Sequence, residues 1–205
     1  VPDRVVGGGG DDGGLLLAIA SGGVCPLIPE FDARGRLPVG PLWLEDEELG
    51  PIYEGHPTNL AEIHSRLCEQ MPESSTRLSL YVELRHLCTM SRDLLGPHAL
   101  LISGEFVVQR ADPRTLIVAL DIPASSYDEM AGQNKWLIRR VFDDQCWTTV
   151  DGSVSINTLM AVTHLHSDHP DHAVSLAACV AARDTASRPN GEDVDGYVEL
   201  PVGWS

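Results

Sequence analysis

An α+β fold with a small mixed sheet flanked by helices is expected from three features of this 205-residue chain. Two segments with helical spacing come first. β-rich runs follow them, and helical and strand-like stretches then alternate to the end. No internal repeat is visible. The hydrophobic fraction is 43% and aromatics are 5%, so the core has to be built from Leu, Val, Ile and Ala.

Residues 1–24 carry eight of the nineteen glycines, including GGGG at 7–10. So much backbone freedom with so few side chains predicts a flexible leader. The run lacks the Gly-Lys-Ser/Thr ending of a phosphate-binding P-loop. The folded domain is expected over 25–205. Its first part, PLIPEFDARGRLPVGPLWLEDEEL (26–49), alternates prolines with isolated apolar residues and reads as an extended arm with turns. The acidic run EDEEL (45–49) reads as an exposed helix start.

Leu60, Ile63, Leu67, Cys68 and Met71 recur at helical spacing over 58–71, with Thr58 or Asn59 as the N-cap. Residues 76–95 give the longest helix, lined by Leu80, Leu84, Leu87, Cys88, Leu94 and Leu95 and stopped by Gly96-Pro97. ALLIS (99–103), EFVVQ (105–109) and TLIVALDI (115–122) read as strands. Ser126-x-x-Glu129 reads as a capping box that opens a helix to about Val141. A strand near 153–165, an Ala-rich helix over 170–183, a turn-rich loop at 187–196 and a short strand at 197–202 complete the order.

Acidic residues outnumber basic ones 30 to 14, a formal charge of −16. A broad nucleic-acid-wrapping face needs clustered cations and is excluded by that balance; a single nucleotide in a local pocket is not. Cys25, Cys68, Cys88, Cys146 and Cys179 contain no CxxC pair and read as reduced thiols. The longest apolar run near the start, LLLAIA (15–20), is too short to span a bilayer. A cytoplasmic, membrane-free protein is expected.

IPEFDARGRLPVG (28–40), a helix, ISGEFVVQRADPRTLIVALDI (102–122), DHPDH (168–172) and DGYVEL (195–200) occur together in this order. The combination resembles a small bacterial and phage family of nucleotidyltransferase-like proteins of unknown function. That family starts with a similar Pro-x-Phe arm and carries a Gly-Ser-Phe-Val hairpin followed by a Pro-x-Asp-Ile-Asp-Val strand. The similarity spans about residues 26–202.

The resemblance implies a polymerase-β-like fold and, in active members, two Mg²⁺ ions. The ions are held by the Asp-x-Asp pair and a third carboxylate from a neighbouring strand. This chain departs at each point. Gly104 is kept, but Glu105 replaces the serine. Thr115 and Ile117 replace the two aspartates, and Val154 aligns with the third carboxylate. Ile117 cannot ligate a hard cation. Asp112 lies on the turn, and Asp121 would be about 13 Å from Ile117 at a strand's rise per residue.

THLHSDHPDH (163–172) also contains His-x-His-x-Asp-His, the zinc pattern of metallo-β-lactamase-like hydrolases. There, imidazoles and a carboxylate hold zinc, which acidifies a bound water. His164, His166, Asp168, His169 and His172 are therefore candidate Zn²⁺ ligands. The short sequence after His169 leaves no room for that fold's later ligands, and a polar strand-to-helix turn capped by Asp168 is the plainer reading. Lys135, Arg139 and Arg140 form a basic cluster at helical spacing, read as a solvated helix face.

The expectation from sequence is a catalytically inactive nucleotidyltransferase-like protein with no resident cofactor. It would act by binding a basic protein partner, as an antitoxin, immunity or phage accessory protein does. An active nucleotidyltransferase with a rearranged Mg²⁺ site built from Glu105, Asp112 and Asp121 is the alternative. A zinc hydrolase using the histidine string is the second.

Overall fold

The computed structural model describes residues 28–47, 50–143, 145–149, 152–163, 181–188 and 195–203. The architecture is α+β. An irregular stretch leads into a two-stranded antiparallel sheet of β1 (Leu42–Asp46) and β2 (Gly50–Tyr53). A second sheet has six strands in the order β3-β8-β4-β5-β7-β6. Its strands are β3 (His56–Pro57), β4 (His98–Ser103), β5 (Thr115–Pro123), β6 (Gln145–Thr148), β7 (Ser155–Thr163) and β8 (Val198–Val202). Between them come α1 (Leu60–His64), α2 (Arg77–Leu94), α3 (Ala124–Glu129) and α4 (Gly132–Phe142); residues 181–187 are also helical.

β5 occupies the middle of the larger sheet, antiparallel to β4 and parallel to β7. Leu116 to Leu120 are all buried, as a strand covered on both faces requires. Alternate residues serve the two faces. Leu116, Val118, Leu120 and Ile122 join Leu80, Leu84 and Leu87 of α2 and Ile138 and Phe142 of α4. Ala119, with Leu101 and Ala161, meets Ala182, Ala186 and Tyr197. Each large aliphatic side chain so buried contributes about 1.5–3 kcal/mol. The small residues on the second face allow the helical backbone at 181–187 to pack closely.

α1 is capped by Asn59, whose side chain accepts from the Glu62 N–H at 2.9 Å. A π-helical turn at Ser65–Glu69 continues it. α2 ends at Leu94, where the following Gly96-Pro97 cannot extend it. His98 then opens β4 fully buried, with Nδ1 2.8 Å from the Gly96 carbonyl and Nε2 2.9 Å from Ser91 Oγ. Burial pulls its pKa below the ordinary imidazole value; the Gly96 contact opposes this.

Several expected elements differ. EFVVQ is not a strand: Glu105–Val107 form a single 3₁₀ turn, and β4 pairs directly with β5. Gly104 turns the chain out of the sheet, and the adjacent Phe106 and Val107 are both buried, which a half-buried strand's alternation forbids. The capping box is unused. Ser126 lies inside α3, which starts after Pro123, and the chain breaks at extended Met130 before α4 begins. Glu45 belongs to β1, where a helix start was expected. Asn59 is the cap in preference to Thr58. β1, β2, β3 and β6 were not foreseen. Residues 164–180, with most of the expected Ala-rich helix, lie outside the described residues, as does the leader.

Candidate functional site

The expected site residues converge at the turn joining β4 to β5. Gly104 has φ +85°, a conformation that disfavours any residue with a Cβ. A Cβ there would lie 3.2 Å from the Thr115 carbonyl oxygen and 3.3 Å from Ile117 N and Cγ1. Gly104 thus lets one backbone press against the start of the next strand. Immediately after it, the Glu105 N–H donates to Thr115 Oγ1 at 3.2 Å.

The Glu105 carboxylate folds back onto its own loop. It accepts from the Arg114 backbone N–H at 2.7 Å and pairs with the Arg110 guanidinium. Its charge closes the 105–114 loop. Beneath that loop lies Arg77, 1% exposed. Its guanidinium donates to the carbonyls of Leu67 (3.1 Å), Phe106 (2.8 Å), Val108 (2.6 Å) and Arg110 (2.9 Å). Loop carbonyls that leave the sheet need such donors, and the planar guanidinium has enough of them. Desolvation lowers the Arg77 pKa from its ordinary value. Burial likewise pushes the neighbouring Cys68 thiol up to about 11.

Thr115 and Ile117 point to one face of β5, as their alternation requires. The register sets Ser155 beside Thr115, Asn157 beside Ile117, and Ser103 opposite Ile117. On the far strand Cys146 and Thr148 pair with Asn157 and Ser155. Val154 packs into the helix-side core, so the neighbouring strand offers Ser155 and Asn157 at this face in place of Val154. The face beside the glycine turn is therefore hydroxyl, amide, thiol and aliphatic. Mg²⁺ is bound by hard anionic oxygens, usually one or two carboxylates. These strand residues do not fit a two-magnesium centre.

The three carboxylates nearest in sequence are dispersed. Glu105 is held by its loop. Asp112 Oδ1 accepts from Ser75 N at 2.8 Å, Ser75 Oγ at 3.1 Å and Ser74 Oγ at 3.4 Å, tying the loop to the approach of α2. The Ser75 backbone bond leads in holding its carboxyl below the usual range. Asp121 shares the face of Ile117 but belongs to another cluster. Its Oδ2 lies 3.3 Å from Arg183, whose Nη1 is 3.4 Å from Glu199 and 3.0 Å from Tyr197 Oη. Arg183 stacks over Trp43 at 4.8 Å. Burial raises the Glu199 pKa, with Arg183 opposing the shift. Among the described residues no three His, Cys, Asp or Glu side chains gather to hold a metal. His164, His166, Asp168, His169 and His172 lie outside the described residues.

Sequence reasoning missed Arg77 and the Arg183 cluster. The first left a signal: Arg77 occupies the same helical stripe as Leu80, Leu84 and Cys88, where a charge has to find buried partners. The second joins Trp43, Asp121, Arg183 and Glu199 from distant segments and left none.

A model of a family of unknown function matches residues 29–171, more than half of the chain. The chain belongs to that family, DUF6932. No curated protein and no solved structure matches it.

Proposed function

We propose that this chain has a nucleotidyltransferase-like fold whose transfer site has degenerated, and that it acts by binding a basic protein partner. The order of helix, strand, glycine turn, strand, helix and strand from α2 to β7 supports the fold reading. The observation that carries the loss of activity is the face beside Gly104. Its strand positions are Thr115, Ile117, Ser155 and Asn157, and among the described residues the carboxylate adjacent to them, Glu105, is engaged by Arg110 and the Arg114 N–H. A divalent ion has no carboxylate pair there among the described residues, and an incoming triphosphate would meet the Glu105 charge. Neither nucleotide activation nor pyrophosphate departure has the electrostatic support it needs.

The formal charge of −16 favours a basic partner and steers its approach. An antitoxin, immunity or phage accessory role fits that behaviour. Calorimetric titration of the full chain with each nucleoside triphosphate, in Mg²⁺ and again in Mn²⁺, tests the proposal. No metal-dependent heat is expected. Tight, metal-dependent binding would replace this reading with that of an active transferase.

A further inference from the structure

A second surface lies on α4. Lys135, Trp136, Arg139 and Arg140 form one outward stripe, while Ile138 and Phe142 face the core. In a chain so poor in aromatics, Trp136 is nevertheless 57% exposed. The Arg140 guanidinium sits over its ring at 5.2 Å. Lys135 and Arg139 lie over the Tyr127 ring at 5.0 and 5.7 Å, and Arg139 Nε donates to Tyr127 Oη at 2.6 Å.

The cations of this stripe also differ in their partners from six other described arginines. Arg36, Arg66, Arg92, Arg110, Arg183 and Arg188 each pair with a carboxylate. Among the described residues none of Lys135, Arg139 and Arg140 does, although acids outnumber bases 30 to 14. Arginines held on aromatic faces are pre-oriented, so less side-chain freedom is lost when they bind.

We propose that this stripe docks a short acidic segment of a partner protein. Carboxylates would pair with Lys135, Arg139 and Arg140, and an apolar side chain would cover Trp136. Two observations favour that occupant over a nucleic-acid strand. Residues 135–140 span only about 7.5 Å of helix axis, enough for two or three carboxylates. A polyanion would overrun the stripe onto exposed Asp128, Glu129 and Asp143, within the roughly 8 Å Debye length at physiological salt. Trp and Arg are also the side chains that dominate protein–protein binding energies. This proposal is independent of the transferase reading, since it uses none of the residues around Gly104.

The test uses the full chain and a labelled synthetic peptide of alternating Asp, Glu and Leu, followed by fluorescence anisotropy. An oligothymidylate serves as the second probe. Saturable peptide binding is expected, weakened about tenfold or more in the exposed double variant R139Q/R140Q and lowered by added salt. W136A should weaken it independently. Circular dichroism of the variants should match that of the parent chain. Absence of saturable binding, equal binding by the double variant, or tighter binding of the oligothymidylate would each overturn the proposal.

Discussion

Arg77 shows how much one side chain can decide. It is buried, forms no ion pair among the described residues, and holds four carbonyls from two separate segments. Replacing it with Met keeps much of the apolar stem but strands those carbonyls. Arg77→Met should destabilise the fold by about 3–5 kcal/mol, as expected for breaking a buried charged network. Urea denaturation measures this, and a loss within the scatter of surface substitutions would show that the carbonyls find other donors. Glu105 contrasts with it. Its charge is half-exposed but is held in place by its own loop, which is why a carboxylate at that position does not amount to a metal ligand.

At the level of secondary structure, α4 starts without help. Ala131 holds an N-cap conformation, φ −59° and ψ 143°, with no side-chain bond to the first turn. Ala131→Ser supplies an acceptor for an orphan N–H and should add about 0.5–2 kcal/mol of stability by the same denaturation measurement. No gain would show that those donors are already satisfied.

The same element shows what the sequence could and could not disclose. α2, β4, β5, β7 and the short β8 were legible because each carries a periodic or β-rich apolar run. β1, β2, β3 and β6 lie in proline-interrupted or polar stretches without such a run. EFVVQ has strand composition, yet tertiary burial of Phe106 and Val107 and the Gly104 turn override it. Ser126 and Glu129 matched a capping box, but Pro123 had already started the helix three residues earlier. The grouping of Gly104, Glu105, Thr115 and Ile117 came from the resemblance to the nucleotidyltransferase-like hairpin and strand. The neighbouring Ser155 and Asn157 could not be read from the sequence, because parallel register is fixed by packing across the sheet.

Taken whole, the molecule distributes its charge unevenly. Acid predominates, yet the α4 stripe concentrates cations that have no carboxylate partner among the described residues, around an exposed Trp136. Electrostatics therefore supports two kinds of contact at once: a basic partner drawn by the net charge and an acidic segment drawn by the stripe. Among the described residues no helix is long and apolar enough to cross a membrane.

What unites the fold with the proposed role is a glycine turn beside strands that have no carboxylate pair. Electron paramagnetic resonance of Mn²⁺, recorded with the full chain and a non-hydrolysable nucleoside triphosphate, reads that condition. The free Mn²⁺ signal should fall no further than the nucleotide alone makes it fall. Stoichiometric loss of that signal at micromolar metal, reversed by Glu105→Gln, would mean that a working metal centre persists beside Gly104.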